Sequence, residues 1–348
     1  MPVDFFDIRS SEPEHTYASM YHSLKENGVI VVKNIFSIEQ SNDLARRTIA
    51  SLEAINPELD HKKPETWKRE NLPPQGREGM LQSLIGHIPP VSETRRDPLL
   101  KEIFAEMYKR LDPPNNSELQ YEDMVASLDG INVLHPKTGP YFDDEPHDWA
   151  HLDQTQGSPY RCIQGQVVLS KSTAAFRCSP KSHQIFEDVI SYLRKEDESS
   201  QWCYIPEHAY EMIQICIEEI GGEWQIPIYA PPGSAILWLS STIHSNMYGE
   251  PPLPLLPHED RDVILREDPW RDWRLVYYIC YRPKHEFSET KLKIMEKRRQ
   301  QNLTMNHWSA TTFSAKGNIR MYPESFYHEN IQEIMENPEK VFEKTAGI

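Results

Sequence analysis

The stretch that carries chemistry in this 348-residue chain is Glu145-Pro-His-Asp-Trp-Ala-His151-Leu-Asp153-Gln-Thr. His151 and Asp153 are two residues apart, so in an extended strand both side chains point to one face. A neutral imidazole and a carboxylate on one face are two of the three ligands of a 2-His-1-carboxylate set. That set holds Fe(II) and leaves three adjacent positions open. The third ligand should be a distant histidine at the end of another inner strand. His244 fits, closing the run Trp238, Ser240, Thr242, His244 on one side of a strand over 234–244. A zinc hydrolase competes for the same residues, because His147-Asp-Trp-Ala-His151 is an HExxH-like spacing with Asp for Glu. Its acid is one methylene short for activating a metal-bound water. Pro140, Pro146 and the three acids at 143–145 argue against a long buried helix there.

An iron site that uses 2-oxoglutarate must also hold the distal carboxylate of that dianion. A guanidinium does so bidentately in a dry pocket. Arg274 opens an apolar strand over 274–282 and shares a face with Val276 and Tyr278, while Arg261, Arg266, Arg271 and Arg282 lie close by. Asn246, Gln166 and Thr155 join Arg274 as candidate co-substrate contacts or supports of the ligands, as does Gln154. Gln164 shares a face with Gln166. With Trp238, Tyr278 and His147 it forms the candidate substrate-contacting set, and barrel packing is the alternative role for Trp238 and Tyr278. His183 reads as structural or as part of the mouth, and His258 lies in a proline loop. No catalytic group is expected beyond the iron ligands.

The elements that must position these residues are legible in the pattern. Gly28–Phe36 is a β-branched run opened by glycine, a strand. Ser37-Ile-Glu-Gln40 is a capping box, followed by Leu44, Ile49, Leu52 and Ile55 at helical spacing. Residues 57–96 are polar and proline-broken, a loop region with short helices. Leu99 to Leu111 carries one apolar stripe, a helix packed on a core. After residue 130, short strands at 161–170, 234–244 and 274–282 alternate with helices at 184–195 and 207–220. Pro231-Pro-Gly233 is turn chemistry ahead of a strand. Helices follow at 291–301 and 329–345. The pattern predicts a mainly β core with an α jacket (α+β), its strands closed into a jelly roll that leaves few exposed edges. We expect a single domain, 1–348, with a β-helix core at about 130–285. Residues 1–129 form its N-terminal helical and strand region, and 286–348 a C-terminal helical extension.

Acidic residues number 53 against 37 basic ones, a net charge of −16. Phosphate contacts need a basic face, so a nucleic-acid binder is excluded, and an anionic membrane surface would repel the chain. Five scattered cysteines without a CxxC pair fit reduced thiols. No apolar run approaches 18 residues and the first residues carry acid where a signal peptide wants base. The expectation is a cytoplasmic protein acting on a small molecule.

Taken in order, these segments resemble the phytanoyl-CoA dioxygenase family of Fe(II)/2-oxoglutarate oxygenases. The resemblance rests on Gly28–Phe36 with its capped helix, on His151-Leu-Asp153-Gln, and on Ser179-Pro-Lys-Ser-His183, which is similar to the family's Pro-Gly-Ser-His turn. Pro232-Gly-Ser-Ala-Ile-Leu-Trp-Leu before His244, and Arg274 on the next strand, complete it, over about residues 25–285. It departs at Ala150, where the family often has an aromatic residue, and at Lys181. The segment between His244 and Arg274 is also long, and its proline-rich stretch reads as a lid. The resemblance implies a double-stranded β-helix (cupin-like) fold, with His151, Asp153 and His244 on Fe(II) and Arg274 on 2-oxoglutarate. The co-substrates would be 2-oxoglutarate and O2, and the reaction hydroxylation with release of succinate and CO2. An intact Asp153 favours hydroxylation, desaturation or cyclisation over halogenation. The acidic surface gives no support for a CoA ester as substrate. A catalytically silent jelly-roll binding protein is the alternative from another class.

Overall fold

The computed structural model describes residues 3–68, 71–73, 79–136, 149–193, 202–247, 268–308 and 334–336. Its strands are Asp4–Asp7 (β1), Val29–Lys33 (β2), Met80–Leu81 (β3), Met124–Ala126 (β4), Ile131–Leu134 (β5), His151–Leu152 (β6) and Ile163–Val168 (β7). Phe176–Cys178 (β8), Cys203–Tyr204 (β9), Ile226–Ile228 (β10), Ser234–Leu239 (β11), His244–Asn246 (β12), Arg274–Tyr278 (β13) and Tyr281–Pro283 (β14) follow. They form a seven-stranded sheet in the order β1-β2-β11-β7-β13-β5-β3 and a five-stranded sheet in the order β10-β8-β12-β6-β9. β14 and β4 make a separate ribbon. Apart from the parallel pair β1–β2, the pairings are antiparallel.

Strict alternation along the strands sets the layers. On the outer face of the large sheet, Ile30, Val32, Val167, Ala235, Leu237, Leu275 and Tyr277 cluster with residues of three helices. Those helices are Pro13–Asn27, Ile38–Ile55 and Pro98–Leu111, contributing Leu24, Leu52 and Phe104 among others. On its inner face Val29, Val31, Ile236, Trp238 and Val276 meet Phe176, Cys178 and Ile228 of the small sheet. The far side of the small sheet is covered by Phe186–Leu193 and Tyr210–Glu219, whose Val189 and Ile213 bury Leu152 and Ile243. The molecule is therefore a mixed α/β protein: two large, mainly antiparallel sheets face to face, with helices outside both.

Local chemistry explains the entry to this core. Gly28 ends the first helix in the left-handed region at φ 75° and starts β2 at once. Ser37 then caps the next helix, its hydroxyl accepting from Gln40 N–H at 3.2 Å while Gln40 accepts from Ser37 N–H at 2.8 Å. The helices expected near 99–111, 184–195, 207–220 and 291–301 are present, and the described residues of 57–96 hold only short pieces.

Two of the expected strands are broken. The run 234–244 is not one strand: β11 ends at Leu239 and β12 begins at His244 in the other sheet. Between them the polar residues make local and cross-chain bonds that compete with a ladder. Thr242 N–H donates to Leu239 O, the Thr242 hydroxyl to Gly28 O, and Ile243 N–H to the Ser182 hydroxyl. Trp238 and His244 consequently face each other across the sandwich instead of sharing one strand face. Likewise 274–282 breaks after Tyr278, and Tyr281–Pro283 pairs with β4 instead. In the C-terminal region the described residues of both expected helices are helical apart from residue 301. Glu289–Gln300 is a helix, and 302–308 then runs back over the core. Most of the helix expected at 329–345 lies outside the described residues, as do 250–267 of the proline-rich loop.

Two measurable properties come from this packing. Gly233 sits at φ 80°, where an added Cβ would lie 2.1 Å from Phe36 O, so it holds the turn before β11. Gly233→Ala should lower the unfolding free energy by about 2 kcal/mol or more in a denaturant titration. His87 and His183, each bonded through Nε2 to a carbonyl, are pushed by burial down to about 4. The unfolded chain takes up those protons near 6.5 and the fold refuses them until about 4, so this stability is present above 6.5 and lost on acidification through that window. The melting temperature should fall between pH 7 and pH 4, and more shallowly in His87→Gln.

Candidate metal centre

β6 and β12 are neighbours in the small sheet, and their register pairs His151 directly with His244. Cross-strand partners in an antiparallel sheet point to the same face, so the pairing puts both imidazoles on one face, with ring centroids 4.3 Å apart. Asp153 follows β6 by one residue and brings its carboxylate to the same point. His244 Nε2 lies 3.3 Å from one carboxylate oxygen and His151 Nε2 lies 3.8 Å from the other. One ligand atom from each of the three falls within 4.8 Å of the others. The three expected ligands are thus brought together.

The protons on the imidazoles follow from their other nitrogens. His151 Nδ1 lies 3.0 Å from Trp149 O, and His244 Nδ1 lies 2.8 Å from Thr242 O. A carbonyl only accepts, so Nδ1 carries a hydrogen in both rings, and in a neutral ring it is the Nε2 lone pair that faces the carboxylate. Acceptor meets acceptor, an arrangement that a cation between them stabilises. Burial pushes His151 down to about 3, with His244 adding to the shift against the pull of Asp153. For Asp153 burial opposes the charge, but the attraction of His307, His151 and His244 when those rings carry a second proton outweighs it and holds the carboxyl far below its usual range. Two neutral imidazoles and one ionised carboxylate are the donor set a divalent transition metal takes, with bonds of roughly 2.0–2.2 Å.

Asp153 is held from several sides. Its N–H donates to Ser240 O at 3.0 Å, and its carboxylate accepts from Gln164 Nε2 at 2.8 Å. Its carbonyl accepts from the Trp308 indole at 2.7 Å. Gln154 does not touch the ligands but braces their loop, accepting from the Ser240 hydroxyl and donating to Ser158 O. Gln164 thus braces the Asp153 carboxylate. Thr155 is buried in the loop that leaves Asp153.

Arg274 is 2% exposed on the inner face of β13. Its guanidinium donates to Asn132 Oδ1 (3.1 Å), Ala174 O (2.7 Å) and Asn246 Oδ1 (2.7 Å). All three acceptors are neutral, and among the described residues no carboxylate pairs with it. Asn246 sits on β12 two residues beyond His244 and also reaches the Tyr278 hydroxyl at 3.4 Å, so Arg274, Asn246 and Tyr278 meet. Gln164 Oε1, Gln166 Oε1 and Trp238 Nε1 are buried on this inner face without a partner. Such orphaned atoms are costly unless a ligand satisfies them. Trp238 packs on Phe176 and His244, at 4.5 and 5.4 Å, so it is wall as well as candidate contact.

Other expected residues fall elsewhere. Arg271 is buried, and Arg282 pairs with Glu286 and Trp308 O. His147, Arg261, Arg266 and His258 lie outside the described residues. The helix that an HExxH-like site needs is not formed, since residues 149–152 are extended and His151 is on β6. The sequence reading missed Trp149, which stacks on His151 at 4.4 Å and 14°. Its position two residues before His151 on the same face was the available signal. It also missed Asn132, His307 and Trp308, which carry no local signal and are brought in from far along the chain.

No family model matches the sequence. Over 242 residues, 68% of this chain and 74% of the other, it is 21% identical to "Ava biosynthesis cluster protein O" of Aspergillus versicolor. The structure is similar to that of the hypothetical protein JW0805 from Escherichia coli, with TM-score 0.54 and 9% identity over 95% of this chain and 85% of that one. It is also similar to the "Putative Oxidoreductase from Salmonella typhimurium LT2", with TM-score 0.50 and 10% identity over the same shares. At such identities the structural matches share a fold. Among the described residues no helix is long and apolar enough to cross a membrane.

His151→Ala should abolish stoichiometric binding of Fe(II) or Co(II) in an anaerobic titration. Gln164→Leu, which keeps the volume but loses the bond to Asp153, should weaken binding by roughly tenfold. Unchanged affinity in both variants would remove this cluster as the metal centre.

Proposed function

We propose that this chain is a non-haem Fe(II)/2-oxoglutarate-dependent oxygenase of the phytanoyl-CoA dioxygenase-like type. On this reading the two-sheet sandwich is a double-stranded β-helix. The reaction is hydroxylation, or a related oxidation, of an unactivated C–H bond in a small organic molecule, with release of succinate and CO2. The observation that carries the reading is Arg274, a buried guanidinium whose partners among the described residues are all neutral, across the sandwich from a His-Asp-His cluster. An uncompensated buried charge is expensive, and an anionic ligand supplies the missing partner. The names of the relatives agree with it. One refers to a biosynthesis cluster and one to an oxidoreductase.

The residues divide the work by position. His151, Asp153 and His244 would hold Fe(II) through the two Nε2 atoms and the carboxylate. Asn246 stands two residues along β12 from His244, about 7 Å away on one face, and touches Arg274. That separation suits a five-carbon dicarboxylate with one end at the metal and the other at the guanidinium. Gln166 and Asn246 offer it neutral hydrogen-bonding groups. O2 is the oxidant: at bound iron, 2-oxoglutarate would supply two of the four electrons that O2 takes up and the C–H bond the other two. The chain's own task is to orient substrate and exclude water, and Trp149, Phe176 and Trp238 wall the centre with rings.

The test is formation of succinate from 2-oxoglutarate by the Fe(II)-loaded protein in air. Arg274→Ala should raise the 2-oxoglutarate requirement by roughly ten- to a hundredfold, the range of a lost charge-assisted hydrogen bond, and Arg274→Lys should recover part of it. Wild-type protein that binds the metal yet forms no succinate would leave the silent binding protein standing.

A further inference from the structure

The C-terminal segment after helix Glu289–Gln300 plays no part in the site as the resemblance describes it, yet it is tied down across the metal centre. Leu303 O accepts from His87 Nε2 at 3.1 Å, the Thr304 hydroxyl from Ser83 N–H at 2.9 Å, and Leu128 O from Met305 N–H at 2.8 Å. At its end Trp308 O accepts from Lys291 Nζ at 3.2 Å and from Arg282 at 3.4 Å. The Trp308 ring, 3% exposed, lies 5.2 Å from the Arg161 guanidinium and 4.9 Å from that of Arg282. These contacts fix the indole so that its N–H donates to the Asp153 carbonyl at 2.7 Å, 155 residues away in sequence. His307, beside it, leaves a buried Nε2 without a partner near the metal ligands.

We propose that this strap, residues 302–308, is a built-in element of the metal centre, in which Trp308 is a positioning residue for Asp153. Asp153 lies just past the end of β6 and has no ladder bond from that strand to hold its carbonyl. The sandwich fixes its N–H through Ser240 and its carboxylate through Gln164, and the strap fixes the third group. With all three bonds made, the carboxylate cannot swing away from the two Nε2 atoms when a metal arrives. This inference rests on the metal reading of the cluster but not on its use of 2-oxoglutarate.

The test is an anaerobic titration of the full chain with Co(II), followed by its visible d–d bands, with the apo melting temperature measured in parallel. Trp308→Phe keeps an aromatic ring and removes the donor. It should weaken Co(II) binding by roughly tenfold or more, as loss of a supporting partner of a ligand does, and shift the d–d bands. Trp308→Phe protein with wild-type affinity and bands would overturn the proposal, whatever its melting temperature. Should that variant fail to fold, Thr304→Val loosens the strap at Ser83 while leaving Trp308 in place. It should weaken binding severalfold, and an unchanged affinity there would equally overturn the proposal. Wild-type protein that binds no Co(II) would instead bring down the metal reading itself.

Discussion

Two imidazole lone pairs and a carboxylate are held against one another in a buried cleft between two sheets, and the rest of the structure answers to that constraint. With both rings neutral, acceptors at 3.3 to 3.8 Å repel one another. They are kept in place because each ring is anchored through Nδ1 to the carbonyl two residues back in its own chain. The register of β6 against β12 sets the ring-to-ring distance, and the bonds to Asp153 set the acid. A one-residue slip of either strand would turn its histidine to the opposite face, towards the helices.

The inner surface of the sandwich is divided accordingly. One region is apolar, where Val31, Ile236 and Val276 meet Phe176 and Ile228. The other is lined by Gln164, Gln166, Asn132, Asn246 and Arg274, most of them buried. An interior built only for stability would fill such positions with aliphatic side chains, since unpaired polar atoms and charges are costly there. On the proposed reading, their presence along one path from the histidine pair to the guanidinium is the track of the anionic ligand.

Much of this was readable from the chain because the decisive signals are local. The i, i+2 spacing of His151 and Asp153 needs only an extended backbone, and Arg274 at the start of an apolar run needs only strand alternation. Gly28, Ser37 and Gln40 announced the first strand and its capped helix through φ and capping chemistry. What was not readable depended on contacts across the fold. The run 234–244 has uniform strand composition, and its break appears only when Gly28 O and the Ser182 hydroxyl arrive to bond its turn. His244 was therefore identified for its type and order, while the strand face assigned to it was wrong. Trp308 and Asn132 have no periodicity of their own and enter the site through pairings more than 140 residues away.

A metal at the His151–Asp153–His244 cluster and an organic anion between it and Arg274 are one joint claim. Anaerobic addition of Fe(II) and then 2-oxoglutarate to the apo protein measures both at once by visible absorption. The expected result is a weak charge-transfer band that saturates at one iron per chain, requires both additions, and is lost on admission of air. Protein that binds iron tightly but stays colourless with saturating 2-oxoglutarate would contradict it.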